Sequence, residues 1–141
     1  MHGKAYFARK FRVPSWMPLL YSMSYALTIS EAGLYVEGPA EGELMRKIED
    51  ASLIIEACFS AGIRSALLYA PNMTARFFDL SSGEAGIILQ KFRTYGIRVA
   101  LVCPPGSVHF SSRFGELMAE ENRLPYFRFF ESVEAAREWL A

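Results

Sequence analysis

Two clusters of side chains in this chain have the types and spacing to do chemistry. The first is Ser81-Ser82-Gly83-Glu84, with Asp79 just before it. Ser81 can accept the backbone N–H of Glu84 while the Glu84 carboxylate reaches back to the N–H of Ser81, a capping box that opens a helix. The same geometry puts a hydroxyl where backbone N–H groups and the helix dipole favour an anion. A phosphate on Ser81 or Ser82 would therefore add charge and strong acceptors at a sheet edge where partners dock. The second cluster is Cys103, Ser107 and His109, gathered just past the end of an apolar run. Open α/β sheets place ligand sites there, and a Cys/His pair is the raw material of nucleophilic catalysis. Nothing in the sequence orients His109, however, and Pro104-Pro105-Gly106 is an ordinary strand exit. No Lys or Arg stands close to Cys103 to stabilise a thiolate. The expectation is a non-enzymatic protein whose Cys103 is an ordinary thiol.

Other chemistries lack their residues. Gly83 and Gly86 do not make a dinucleotide fingerprint, and there is no phosphate-binding P-loop and no Gly-x-Ser-x-Gly elbow. The two cysteines, Cys58 and Cys103, have no metal-ligand spacing and are too few for a disulfide framework. Glu120 and Glu121 read as a solvated helix end. No cofactor and no metal are expected. Lys and Arg number 15 and so do Asp and Glu, so no global field draws the chain to nucleic acid or to a membrane surface. No apolar run approaches the roughly 20 residues of a membrane span. The basic start (Lys4, Arg9, Lys10, Arg12) is followed only by a short apolar run broken by Pro14 and Pro18, unlike a secretory leader. A soluble, cytoplasmic protein with a buried Cys58 thiol is the expectation.

The elements that must position these residues are legible from periodicity. The 141 residues, 52% of them hydrophobic, suit one domain with a real core. Residues 1–22 are basic, aromatic and Pro-punctuated without a stable period, and read as an N-terminal extension to a domain spanning 23–141. Tyr25–Ile29 and Leu34–Glu37 flank Glu31-Ala32-Gly33 as a hairpin. Leu44, Ile48, Ala51, Ile55 and Cys58 form the apolar stripe of a helix over 43–61, with Glu43/Lys47 and Arg46/Asp50 as i,i+4 pairs and Gly62 as its stop. Ser65–Ala70 and Arg98–Cys103 are continuous apolar runs of the kind that form strands buried on both faces. Between them Ala85, Ile88, Leu89 and Phe92 mark a helix closed by Gly96. Ser111 or Ser112 caps a third helix, Tyr126–Phe130 is a further strand, and Ser132 caps a last helix. This alternation predicts an α/β fold with a mainly parallel sheet of four or five strands and helices packed against it.

The run from Phe77 through Asp79, Ser81, Gly83, Gln90 and Tyr95 to Val102 resembles the signature of the bacterial family catalogued as domain of unknown function 4180. The similarity extends from about Ser24 to the C-terminus and takes in Glu49-Asp50-Ala51 through Ala57, Glu121-Asn122, Phe129-Phe130 and Glu134-Ala135-Ala136. That family has no established activity, so the resemblance bears on the fold. A second resemblance is to STAS-type anti-sigma factor antagonists, which carry Asp-Ser-Ser-Gly-Leu-Gly at a helix start. Ser81, Ser82, Gly83 and Gly86 match it, whereas Leu80 separates Asp79 from Ser81. It implies a STAS-like fold and a phosphorylatable serine.

Together these features predict a regulatory or protein-interaction module switched at Ser81, with a protein as partner. The aromatic stretch at Tyr126–Phe130 would suit a homodimer. The alternative is a small-ligand-binding protein using a cleft beside Ser81, Cys103 and His109, and a Cys/His enzyme comes third. A deep apolar pocket at those residues favours the ligand, and an exposed Ser81 on an open surface favours protein docking.

Overall fold

The computed structural model describes residues 26–141. The proposed extension over 1–22 lies outside the described residues.

The hairpin forms, but only as two short strands, β1 (Thr28–Ile29) and β2 (Val36–Glu37), with Ile29 opposite Val36. Its turn is closed by the Ser30 hydroxyl, which accepts the N–H groups of Leu34 at 2.9 Å and Tyr35 at 3.2 Å. Gly33 supplies the positive φ of +71° that this turn requires. Beyond Glu37 the chain must leave the ladder, because Pro39 has no N–H to offer it.

The first helix departs from expectation. Helix α1 spans Asp50–Ala61, not 43–61. Asp50 turns its carboxylate back and accepts the N–H groups of Arg46 at 2.9 Å and Lys47 at 3.3 Å. Such local bonds compete with helical ones, so the residues before Asp50 form turns. Leu44 and Met45 are nonetheless buried, which is why the apolar stripe seemed to continue. Arg46 meets Glu43 at 3.8 Å on the surface, and no ion pair joins Glu43 to Lys47 or Arg46 to Asp50 among the described residues. The C-terminus is as predicted: Gly62 adopts a φ of +72° and Ile63 N–H returns to Cys58 O at 2.8 Å.

The remaining elements are β3 (Ser65–Tyr69), α2 (Glu84–Thr94), β4 (Arg98–Val102), α3 (Ser112–Glu121), β5 (Phe127–Phe130) and α4 (Val133–Leu140). The sheet order is β1-β2-β3-β4-β5, antiparallel only at the hairpin. β3 and β4 are neighbours, paired from Ser65/Arg98 to Tyr69/Val102. The fold is thus α/β, with five strands in a mostly parallel sheet.

Each parallel crossover advances by one strand in the same direction. Right-handed connections then put α1, α2 and α3 on one face. There Ile54, Cys58, Ile88, Phe92 and Phe114 pack with Ala66, Leu68, Val99, Leu101 and Phe127. The opposite face, with Leu67, Ala100 and Val102, is covered by Ala136 and Leu140 of α4. The β3 and β4 runs are apolar throughout because both faces are buried.

Candidate functional site

The carboxyl ends of β3 and β4 open into a cavity of about 400 Å³. One wall comes from the β3 exit (Tyr69, Ala70, Met73, Thr74), the other from the β4 exit (Val102, Pro104, Ser107, Val108). Phe78 and the loop residues Ala40 and Glu43 also line it.

Asn72 holds this architecture together. It is fully buried in a single 3₁₀ turn, Ala70–Asn72, that follows β3. Its side-chain oxygen accepts Tyr69 N–H at 2.8 Å, while its amide donates to Pro39 O at 2.9 Å and Gly42 O at 3.0 Å. Its backbone carbonyl accepts Met45 N–H at 2.7 Å. The β2–α1 loop is thereby stapled to the strand exit, which places Ala40 and Glu43 on the cavity. The staple requires Gly38, where a Cβ would collide with Asn72 Oδ1. On the other side Phe77, fully buried, packs edge-on to Phe114 with centroids 6.0 Å apart, tying the segment after β3 to α3.

Two polar features border the cavity. Thr74 is only 3% exposed, and its hydroxyl has no hydrogen-bond partner among the described residues. Tyr69 donates its hydroxyl proton to Glu37 Oε2 at 2.7 Å, and Arg137 of α4 holds the same oxygen at 3.1 Å. Burial first, then the Glu37 hydrogen bond, pushes the Tyr69 phenol up to about 12.

The serine cluster lies on a neighbouring surface, and its caps differ from the predicted box. Leu80–Ser82 tightens into a 3₁₀ turn headed by Asp79, whose Oδ1 accepts both the N–H (3.1 Å) and the hydroxyl (2.6 Å) of Ser81. Gly83, at a φ of +78°, stands at the N-cap of α2. Glu84 N–H is taken by the Ser82 hydroxyl at 3.2 Å, so Ser82 rather than Ser81 caps that donor. The Ser81–Glu84 box is absent because the extra 3₁₀ turn moves Ser81 back toward Asp79. The Ser81 hydroxyl bond, more than Arg76 at 3.7 Å, holds the Asp79 carboxyl below its usual range.

Ser81, Asp79 and His109 do come together. They line a broad depression of about 710 Å³ with Phe78, Phe110 and Arg113, and most of its rim is exposed. Ser107 belongs instead to the strand-exit cavity. Cys103 lines a third hollow of about 370 Å³ with Met118, Phe129 and Phe130, and burial pushes its thiol up to about 12. The cleft predicted for Ser81, Cys103 and His109 is therefore divided among separate hollows. Sequence reasoning passed over Asn72 and Thr74, which follow the apolar run Ser65–Ala70 without a periodic pattern of their own. It also passed over the Glu37–Tyr69–Arg137 set, whose members are distant in sequence. No three His, Cys, Asp or Glu side chains are grouped to hold a metal among the described residues. Nor is any helix among them long and apolar enough to cross a membrane.

The family model described as domain of unknown function, DUF4180, matches residues 31–140. The chain belongs to this family. The match begins in the β1–β2 turn and ends with α4, so the DUF4180 domain includes every element that builds the strand-exit cavity. Comparison with the curated proteins and with the solved structures returned no match.

Proposed function

We propose that this DUF4180 domain is a binding module that holds a small molecule at the carboxyl edge of its parallel sheet. The observation that carries the reading is the cavity of about 400 Å³ at the carboxyl ends of β3 and β4, walled by Tyr69, Met73, Phe78, Val102 and Val108. The cavity is of ligand size and mostly apolar, with few polar groups, as small-molecule sites are. Its position outside the strand ends agrees with the general placement of ligands in open α/β sheets. The test is a fragment screen followed by amide chemical-shift mapping on the intact protein. Shifts at Tyr69–Thr74 and Val102–Val108 are expected. Fragments that map elsewhere, or none that bind, would refute it.

A second reading, protein docking switched at Ser81, is favoured by a different observation. Ser81 is exposed, and its depression carries the half-exposed Phe110, 37% accessible, beside Arg113. The STAS resemblance supports the same role by analogy. Pull-down from the native cell with phosphosite mapping tests it: a partner lost in Ser81→Ala, and phosphate at Ser81, are the expected results.

A further inference from the structure

We propose that the α4 side of the sheet carries a binding site for a phosphate group, held between Arg98 of β4 and Arg128 of β5. It is independent of the strand-exit cavity, since Arg98 opens β4 and the cavity lies beyond the other end of that strand. Ala100 pairs with Arg128 and packs beneath α4. Side chains alternate along a strand, so Arg98, two residues earlier, leaves the same face beside Arg128. Trp139 of α4 gathers both, with the guanidinium carbons 4.2 Å and 5.3 Å from its ring centre. Backbone carbonyls fix them further. Arg98 donates from Nε to Pro125 O and from Nη2 to Trp139 O, both at 3.3 Å, and Arg128 donates from Nη2 to Asn122 O. These bonds leave Nη1 of each guanidinium without a partner among the described residues. The Pro125 and Asn122 bonds lie at exposed positions, so an anion can approach. The Arg128 Nε is sealed from solvent and is not counted as a contact.

Arg46, Arg76, Arg93 and Arg137 each meet a carboxylate, whereas Arg98 and Arg128 form no ion pair among the described residues. Residues 1–25 hold no Asp or Glu, so no carboxylate side chain of this chain serves the two. The ring face of Trp139 offsets part of each charge but leaves the in-plane N–H groups unused. Two guanidinium charges match one doubly ionised phosphate, whose oxygens accept forked N–H pairs. A carboxylate would neutralise only one of them.

The experiment titrates the full chain with inorganic phosphate, phenyl phosphate and acetate at constant ionic strength. The side-chain Nε–H signals of Arg98 and Arg128 and the indole N–H of Trp139 are followed. Saturable shifts at these groups are expected with both phosphates. Acetate should bind at least about tenfold more weakly, the loss of one charge-assisted contact. Phenyl phosphate binding more tightly than inorganic phosphate assigns the site to an esterified phosphate, and equal or weaker binding assigns it to the free ion. Arg128→Gln should weaken phosphate by about tenfold or more and abolish the rise in melting temperature that phosphate gives the unaltered protein. Arg128→Lys keeps the charge without the planar fork, so its affinity should fall between the two, and it replaces Arg128→Gln if that variant does not fold. Acetate binding as tightly as phosphate overturns the inference. So does the absence of saturable shifts at these groups, or undiminished phosphate affinity in a folded Arg128→Gln.

Discussion

Asn72 shows how one side chain can carry a site. Its amide satisfies three backbone groups that lie in two segments more than 25 residues apart in sequence. Asn72→Ala leaves those groups unpaired, and at about 1–3 kcal/mol for each buried orphan the loss is expected to exceed about 3 kcal/mol in denaturant unfolding. The serines separate in the same way. Ser82→Ala removes the hydroxyl that caps Glu84 N–H, so it should cost about 0.5–2 kcal/mol. Ser81→Ala removes only an exposed bond to Asp79, and its effect should stay within about 0.5 kcal/mol. Ser81→Asp sets a second carboxylate against Asp79, so it should be less stable than Ser81→Ala. Thermal melts of the three variants check the order, and a Ser81→Ala loss larger than that of Ser82→Ala would contradict these caps. Ser81-Ser82-Gly83-Glu84 announced a helix start, but which hydroxyl meets which N–H depended on a 3₁₀ turn that periodicity does not encode.

At the scale of elements, α1 is the most instructive. Its inner face was legible: Ile55 and Cys58 are buried as the spacing requires. Its start was not, because Leu44 and Met45 reach the same core from a loop. Ile55→Asp should destabilise by more than the roughly 1.5–3 kcal/mol of one buried aliphatic side chain, since it also buries a charge. An unchanged melting temperature would exclude that packing. The buried strands β3 and β4 were the easiest elements to read, since continuous apolar runs ended by Pro leave few alternatives.

For the whole molecule, burial moves both thiols and the Tyr69 phenol in one direction. Burial pushes the thiols of Cys58 and Cys103 from an ordinary value of 9.0 to about 12, and the Tyr69 phenol from 10.0 to about 12. All three are neutral in the fold and ionise more easily when unfolded. A folded value raised above the unfolded one gives stability that is complete below the unfolded value and is lost as pH rises through the folded value. Stability should therefore fall between about pH 9 and pH 12, as followed by denaturant midpoints. Cys58→Ala compared with Cys103→Ala would divide the effect between the two thiols. Iodoacetamide should label Cys103 slowly at neutral pH, and rapid labelling would contradict its burial.

The sequence by itself determined the fold class, the order of helices and strands and the parallel pairing of the two central strands. These follow from local periodicity, helix stops and the handedness of crossovers, all of which act along the chain. Only the tertiary structure decided the site. Gly38, Asn72 and Thr74 carry no pattern of their own, and Glu37, Tyr69 and Arg137 lie as far as 100 residues apart. They meet because parallel strands deliver their exits to one edge of the sheet. There a glycine without a Cβ lets a loop close onto an asparagine, and a threonine is buried with its hydroxyl unpaired among the described residues.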